Sequence, residues 1–330
     1  MCFSQGPAPV KNICKLSCWN VSGLKNSAFG YKLNDPNFLN QINECHIISL
    51  SEVWGCDDID VPDFKIVAMS PPMKRNTKRP GRCSGGILVA VKNFLTPYVE
   101  LLKQTPNYIW CRIASNLFQT EKDVLLCSVY IPPRDSPYFD PDIFTNLEND
   151  INNLKNDYSI VLMGDFNART GTENDFIVEG LNDFIPHDNF PLPRQVPNRN
   201  SFDGHINEHG KTLIEICKSL DLRILNGRCK GDSLGKITFH GSQGISTVDY
   251  IITDHETMNI FQNFVVRHPS PFSDHCQLVS WIKVKDSLTV RLRRTQNQRK
   301  LSSTYRDNLN GIQILKKNLF QLYSLLKCKT

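Results

Sequence analysis

Short apolar runs, separated by polar segments rich in glycine, proline and asparagine, recur through the first 284 of the 330 residues. Most runs are about four to eight residues long and rich in β-branched or aromatic residues, a pattern that predicts strands. The predicted strands span residues 13–19, 46–50, 87–91, 108–113, 124–130, 160–163, 222–225, 237–240, 248–253 and 276–284.

Three longer segments predict helices at residues 35–44, 141–155 and 207–220. Pro36 lies in the first turn of the first helix, where a proline is tolerated. Strands and helices alternate, yet many connections are too short to contain a crossover helix. The pattern therefore predicts an α/β (α+β) protein with mixed sheets instead of one doubly wound parallel sheet.

The pattern changes at both ends of the chain. Residues 1–12 predict an N-terminal tail, and residues 13–284 contain no repeat or linker and predict one domain. Residues 285–330 predict a basic linker and an amphipathic helix, which we expect to be the start of a following region. Within the domain, residues 180–206 are polar and proline-rich and predict a long surface loop.

Charge is distributed unevenly between these regions. Residues 283–330 hold 12 lysines and arginines against 2 acidic residues, a net charge of +10. Residues 1–282 hold 26 basic and 31 acidic residues, a net charge of −5. The domain is therefore not a generally basic nucleic-acid binder, and any contact with nucleic acid must be local or come from the tail.

Composition indicates a soluble globular protein, with 40% hydrophobic and 22% charged residues. No apolar stretch is long enough to span a membrane, and the N-terminus lacks the pattern of a secretory signal. The twelve cysteines include no CxxC pair, so we expect free, mostly buried thiols in an intracellular, reducing compartment.

The stretch from Ile160 to Gly171 is the first candidate for chemistry. Gly164 allows a tight exit from a buried strand, and Asp165 and Asn167 follow it. In extended backbone, residues two apart point to the same side, so both side chains can face one point. Asp and Asn are also common turn residues, and this stretch alone does not decide between a turn and a site.

Other predicted strands end in, or contain, polar groups that suit metal or phosphate chemistry. Each has an ordinary structural explanation, but an ionised carboxylate inside the apolar strand at 248–253 needs a partner, for which His275 is available. Together these groups predict one site at the strand ends. They are Asn20, Glu52, Tyr130, Asp249, Asp274 and His275.

Five motifs occur in the order typical of the endonuclease/exonuclease/phosphatase superfamily. They are Trp19-Asn20-Val21-Ser22-Gly23-Leu24, Ser51-Glu52-Val53-Trp54, Gly164-Asp165-Phe166-Asn167, Val248-Asp249-Tyr250 and Ser273-Asp274-His275. Residues 164–171 and Leu225-Asn226-Gly227-Arg228 with Gly231-Asp232 more closely resemble the apurinic-type endonuclease domain of non-LTR (LINE-type) retrotransposons. The resemblance covers about residues 13–284 and implies a four-layer sandwich of two mixed sheets with helices outside.

The resemblance also implies roles for the site residues. Glu52 would be the main ligand of Mg²⁺, for which Mn²⁺ can substitute, with Asn20 nearby and Asp274 assisting. Tyr130 and Asn167 would contact the phosphate, and His275, oriented by Asp249, would stabilise developing charge or act as base. Asp165 would orient or deprotonate water. Sequence leaves Asp165 and His275 open as the base, and we favour Asp165, since pairing with Asp249 would raise the pKa of His275.

Two features qualify the resemblance. Ser22 stands where many apurinic endonucleases carry an acid, which favours the retrotransposon branch and argues against a specific abasic-site activity. The segment from Lys74 to Arg82 holds five basic residues. It predicts either a solvated loop or localisation signal, or a contact with the phosphate backbone, and the two interpretations carry equal weight.

We therefore expect a Mg²⁺-dependent DNA endonuclease that nicks one strand, leaves a 3′-hydroxyl and acts in the nucleus. We expect the chain to be a fragment of an element or a stand-alone derivative, since it contains no reverse-transcriptase signature. One alternative is a phosphatase or phosphodiesterase acting on a small-molecule or lipid phosphate. Another is a non-catalytic DNA-binding remnant.

Overall fold

A computed structural model describes residues 12–284 except for residues 27, 29, 55–58, 72, 74–83, 119, 178–197 and 243. Within it, Ile13–Val284 forms one compact unit. Three predicted features lie outside the described residues: the N-terminal tail, the basic segment at 74–82 and the tail at 285–330. None of the helices that the structure describes combines the length and the apolar character needed to cross a membrane.

Sixteen strands and three α-helices make up the described part of the chain. The strands are β1 (Ile13–Asn20), β2 (Lys25–Asn26), β3 (Gly30–Tyr31), β4 (Ile47–Ser51), β5 (Phe64–Met69), β6 (Ile87–Lys92), β7 (Val99–Gln104), β8 (Tyr108–Ile113), β9 (Val124–Tyr130), β10 (Ser159–Asp165), β11 (Leu222–Ile224), β12 (Phe239–Gly241), β13 (Gly244–Ser246), β14 (Asp249–Asp254), β15 (Phe261–Val266) and β16 (Leu278–Lys283). The helices are α1 (Pro36–Asn43), α2 (Ile143–Leu154) and α3 (Glu208–Leu220).

Twelve of the strands form two six-stranded mixed sheets. The first has the order β15-β16-β1-β4-β6-β5, and the second has the order β11-β14-β10-β9-β8-β7. In the first sheet β1 is parallel to β4, and in the second β9 is parallel to β10, while the other neighbours are antiparallel. The prediction of mixed sheets is confirmed.

The sheets pack face to face, with β1 and β4 against β10 and with β6 against β8 and β9. Helix α1 covers the outer face of the first sheet, where Phe38 packs near Leu50. Helices α2 and α3 cover the outer face of the second, where Leu147 and Leu213 pack near Leu162. The result is the four-layer α/β sandwich that the resemblance implies.

Local sequence explains where two of the helices begin. Asp35 caps α1 by accepting hydrogen bonds from the N–H groups of Asn37 and Phe38, and Pro36 occupies the first helical position. Asn207 caps α3 by accepting from the N–H of Gly210. Such caps satisfy N–H groups that have no partner within the helix.

Strand register brings the polar strand ends together. In the second sheet, Asp165 at the end of β10 lies opposite Tyr130 of β9 and Asp249 of β14. In the first sheet, Asn20 at the end of β1 lies opposite Ser51 of β4, and Glu52 follows directly. Because the sheets are stacked, these ends meet at one edge of the sandwich.

The structure corrects some predicted elements. Strands β5, β7 and β15 were not predicted, and all three are edge strands; in β7, for example, only Val99 is buried, so the apolar pattern is weak. Strand β10 continues through Gly164 to Asp165 instead of ending at Met163. Residues 180–206 were predicted as a surface loop, but Arg199 and Asp203 are buried within their described portion.

The cysteines follow the prediction where the structure describes them. Eight are free, and seven of these are buried; the exception, Cys229, is half-buried. No disulfide links the described cysteines, as expected for thiols that pack as small apolar side chains.

Gly164 is the position where we expect substitution to destabilise the fold most directly. Its φ is +144°, and an added Cβ would lie 2.0 Å from the carbonyl oxygen of Val129 in β9. We expect Gly164→Ala to lower the free energy of unfolding by about 3 kcal/mol, because it adds backbone strain to a clash within a buried sheet. Chemical denaturation measures the loss.

Gly204→Ala is the matched control, because a Cβ there has nothing within 4 Å and φ lies outside the left-handed region. We expect it to stay within about 0.5 kcal/mol of the wild type. Equal stabilities for the two variants would contradict the role given to Gly164.

Candidate active site

The side-chain amide of Asn20 joins the two sheets at this edge. Its Nδ2 donates to Oε1 of Glu52 at 3.2 Å and to Oδ2 of Asp165 at 2.9 Å. Its Oδ1 accepts from the N–H of Ser22 at 3.0 Å. Asn20 is buried, so these bonds hold two carboxylates from different sheets at fixed positions.

Glu52 is held in an unusual backbone conformation. Its φ is +54°, a region that costs a residue with a side chain about 1 kcal/mol or more. Its carboxylate accepts hydrogen bonds from three neutral groups: Asn20, the hydroxyl of Tyr130 at 2.8 Å and the indole N–H of Trp54 at 3.0 Å. Strain of this kind persists where surrounding contacts determine the geometry, and it concentrates at functional sites.

His275 lies between two carboxylates of the second sheet. Its Nδ1 is 2.9 Å from Oδ2 of Asp249, and its Nε2 is 3.8 Å from Oδ2 of Asp165. All three residues are buried. The expected pairing of Asp249 with His275 is therefore present. The backbone N–H of Asp249 donates to Oγ1 of Thr238 at 3.1 Å, which helps to fix the position of Asp249.

Asp165 and Asn167 meet through a turn. The φ of Asn167 is +47°, so the backbone is left-handed and not extended as the sequence analysis assumed. The N–H of Asn167 donates to Oδ1 of Asp165 at 2.9 Å, and its Nδ2 donates to Oδ2 at 3.3 Å and to the carbonyl of Ile131 at 2.9 Å. The two side chains converge for a different reason than predicted: Asp165 closes a local turn with its own side chain.

Burial and neighbouring charges shift the pKa values of the site. Burial, followed by the charge of Asp249, raises the pKa of Asp165 to about 7. Burial opposes protonation of His275, but Asp249 and Asp165 outweigh it and raise its pKa to about 9. Burial and the carboxylates of Glu52 and Asp165 raise the pKa of Tyr130, which keeps its hydroxyl a donor.

Sequence analysis missed a buried lysine beside the site. Lys32 lies just before α1, and its Nζ donates to the carbonyls of Val21 and Phe272, both at 2.5 Å. Val21 follows Asn20, and Phe272 precedes the segment that carries His275. No pattern at Lys32 distinguished it from a surface residue, since its partners are distant backbone carbonyls.

Three further hydrogen bonds, made by two side chains, tie the same segments together. Oγ of Ser273 donates to the carbonyl of Asn20 at 2.7 Å and accepts from the N–H of His275 at 3.1 Å. The indole N–H of Trp19 donates to the carbonyl of His275 at 2.8 Å. The exit of β1 and the segment before β16 are thereby fixed against each other.

Asp274 is the predicted site residue that the structure sets apart. It is exposed, and its carboxylate forms no hydrogen bond or ion pair with a described residue. Its backbone carbonyl accepts from the N–H of His240 at 2.7 Å. Asp274 lies near enough to Lys32 for its charge to favour protonation of that lysine. Its role as an assisting ligand stays a prediction.

The carboxylates at and near Glu52 suit a hard divalent cation. Glu52, Asp165 and Asp249 carry three carboxylates, and in the described part of the chain no lysine or arginine is paired with any of them. His275 can offset one charge, so a bound cation would relieve the remaining repulsion. Glu52 supplies the oxygen ligand that Mg²⁺ prefers. Asn20 directs its nitrogen to the carboxylates, and ligation through its oxygen would require the amide to rotate.

A cavity of about 530 Å³ opens beside His275 and Asn167. Its walls include Arg134, Phe239 and Val248. The ring of Phe239 in β12 lies 4.8 Å from that of His275, so the hairpin of β12 and β13 packs over the imidazole. The cavity leaves the side of the site formed by His275 and Asn167 accessible.

No protein-family model matches the chain, and no curated protein matches its sequence. Solved structures with the same fold include an AP endonuclease, LMAP, from Leishmania major, which has a TM-score of 0.55 and 12% identity and covers 82% of this chain and 88% of its own. The 3′-5′ exonuclease NExo from Neisseria meningitidis has a TM-score of 0.52 and 15% identity and covers 82% and 99%. NExo is also described as a 3′ phosphatase bound to product DNA hairpin.

The endonuclease domain of TRAS1, a telomere-specific non-LTR retrotransposon, has a TM-score of 0.48 and 15% identity over 82% of this chain and 99% of its own. The described unit has the endonuclease/exonuclease/phosphatase fold, which confirms the predicted fold.

Lys32 provides a test of the charge buried at this site. Burial lowers its pKa to about 8 from 10.5, against the opposing charges of Asp274 and Glu52. Between these pH values the unfolded chain holds a proton that folded Lys32 has released, so the free energy of unfolding rises with pH. Without a metal, we expect wild type to gain up to about 3 kcal/mol relative to Lys32→Met from pH 7 to 10.5.

Urea denaturation across this pH range measures the difference. Lys65→Met, which removes an exposed lysine, is the control for general effects of losing one. A difference between wild type and Lys32→Met that stays constant with pH would contradict the assignment.

Proposed function

We propose that the chain is a Mg²⁺-dependent phosphodiester hydrolase that nicks one strand of DNA and leaves a 3′-hydroxyl. The observation that carries this proposal is a continuous set of contacts. Hydrogen bonds join Glu52 to Asn20 and Asn20 to Asp165, and Asp165 lies 3.8 Å from His275, which is hydrogen-bonded to Asp249. Hydrolysis of a phosphodiester needs an activated water, a held phosphate and compensation of developing negative charge, and this set offers a group for each.

Asp165 is the proposed base. A pKa raised to about 7 makes its carboxylate a stronger proton acceptor than an exposed aspartate, while a histidine whose pKa is about 9 already holds its proton at neutral pH. Asp165 takes a proton from a water whose oxygen bonds to phosphorus. The bond from phosphorus to the 3′-oxygen breaks, and that oxygen takes a proton from solvent water to become the 3′-hydroxyl.

Protonated His275 donates from Nε2 to a phosphate oxygen, and Asp249 at Nδ1 fixes its orientation. The hydroxyl of Tyr130, which donates to Glu52 in the structure, would donate to a phosphate oxygen on that side of the site. Asn167 holds the phosphate through its amide, whose longer bond, 3.3 Å to Asp165, is the one a phosphate oxygen would replace. A cation held by Glu52 would supply Lewis-acid stabilisation of the phosphate and the leaving oxygen.

DNA is the proposed substrate, and the nuclease is proposed to be of the retrotransposon type. Structures with this fold include an AP endonuclease and the exonuclease NExo, which is also described as bound to product DNA hairpin. The motifs at residues 164–171 and 225–232 support the retrotransposon branch, as does Ser22, which contacts Ser273 through its hydroxyl at 3.2 Å. We propose that the chain acts in the nucleus.

Conversion of supercoiled plasmid to the nicked form tests this proposal. We expect Glu52→Gln and Asp165→Asn each to lower the nicking rate at least about 100-fold, because each removes a charge used in the reaction. We expect EDTA to abolish nicking and Mg²⁺ to restore it. Extension of the nick by a DNA polymerase detects the 3′-hydroxyl.

Glu100→Gln is the matched control. Glu100 lies on edge strand β7, and its exposed carboxylate pairs with Arg112 of β8. This variant should nick at the wild-type rate. Nicking by Glu52→Gln or Asp165→Asn within a few-fold of wild type would rule out the assigned site.

The alternative is hydrolysis of a small-molecule or lipid phosphate. Two observations support it: NExo, which has the same fold, is described both as an exonuclease and as a 3′ phosphatase, and the 530 Å³ cavity is large enough for a small substrate. Release of phosphate from an inositol phosphate, without nicking of plasmid, would favour it. DNA binding without metal-dependent cleavage would instead identify a non-catalytic remnant.

A further inference from the structure

Asn207 contacts both a helix and the loop that carries Asn167. Its Oδ1 accepts from the N–H of Gly210 in α3 at 2.8 Å and from the N–H of Arg169 at 2.9 Å. Its Nδ2 donates to the carbonyl of Asn167 at 3.0 Å. Its backbone N–H donates to the carbonyl of Arg169 at 3.0 Å. One residue therefore caps α3 and occupies the backbone polar groups on both sides of Ala168.

The loop that Asn207 contacts has a left-handed turn at Asn167. The φ of Asn167 is +47°, a region that asparagine tolerates better than most residues and that surrounding contacts help to fix. The helix also abuts the loop without a gap: a Cβ at Gly210 would lie 1.8 Å from the carbonyl oxygen of Arg169. A shift of Asn207 would therefore be transmitted directly to Asn167.

We propose that Asn207 is a positioning residue that sets the backbone of Asn167 and thereby aims its amide at the phosphate. This inference rests on the proposed function for the purpose of the amide, whereas the hold on the loop stands on geometry alone. Asn207 acts through Asn167 and through the turn that Asn167 forms with Asp165.

Asp35 shows what a cap without this function looks like. It caps α1 by accepting from the N–H of Asn37 at 2.7 Å and of Phe38, both within its own helix. Asn207 makes the same kind of contact to α3 and adds two side-chain contacts to the loop. The additional contacts are the part to be tested.

Asn207→Ala and Asn207→Ser separate the two functions. Serine caps a helix about as well as asparagine, but it has no amide to donate to Asn167, whereas alanine removes both the cap and the loop contacts. We expect Asn207→Ser to recover the thermal stability that Asn207→Ala loses. We expect both variants to show a kcat for plasmid nicking at least about tenfold below wild type, with KM within about twofold, because small displacements of a reacting group are costly.

Hydrogen exchange at the amide of Arg169 provides a readout that does not depend on activity. We expect this amide to exchange at least about tenfold faster in Asn207→Ser, because the loop opens more often once the bond from Nδ2 to the carbonyl of Asn167 is lost, while amides in the middle of α3 keep the wild-type rate. Asp35→Ala is the control: it should lower thermal stability by a few degrees and leave both kcat and the exchange of Arg169 unchanged.

Recovery of both stability and kcat by Asn207→Ser would overturn the proposal, because capping alone would then explain Asn207. Unchanged exchange at Arg169 in that variant would overturn it as well. If the wild type fails to nick DNA, the proposed function falls separately, and hydrogen exchange still decides whether Asn207 holds the loop.

Discussion

The amide of Asn20 is the contact on which the arrangement of the site depends. Its Nδ2 bridges a carboxylate of the first sheet, Glu52, and a carboxylate of the second, Asp165. Two carboxylates that both lie within about 3.2 Å of one nitrogen would repel each other, and a hydrogen-bond donor between them reduces that repulsion. A neutral amide supplies that donor without cancelling either charge, so both carboxylates stay available for chemistry. The same bonds fix the distance between the ends of the two sheets.

Support for this bridge comes from two sides of the molecule. On one side, the ammonium of Lys32, the hydroxyl of Ser273 and the indole of Trp19 hold the exit of β1 against the segment that carries His275. On the other side, Asn207 holds the turn formed by Asp165 and Asn167. The supporting groups bind mainly backbone carbonyls and N–H groups. They therefore fix the chain, and the strand register then fixes the side chains at the site.

Sequence patterns predicted the parts of the fold whose information is local. The buried strands and the helices have clear periodicity, and the motifs around Asn20, Glu52 and Asp165 stand at strand ends where a site is expected. The edge strands β5, β7 and β15 were missed because exposure of at least one face removes the apolar pattern, whereas edge strand β11 is buried and was predicted. The contacts of Lys32 and Asn207 were missed for another reason: their partners are backbone groups, which leave no sequence signal. One partner of Lys32, the carbonyl of Phe272, is 240 residues away in the sequence.

The groups proposed for chemistry and the walls of the cavity lie on different kinds of structure. Glu52, Asp165 and Asp249 lie at the ends of paired strands, whose register leaves little freedom. Arg134 and Phe239, in contrast, line the cavity from a loop and from the short hairpin beside His275. Loops and short hairpins tolerate substitution better than buried strands do. Under the proposed function, changes in the cavity walls would therefore alter which phosphate reaches His275, while the bridge at Asn20 would keep the reaction the same.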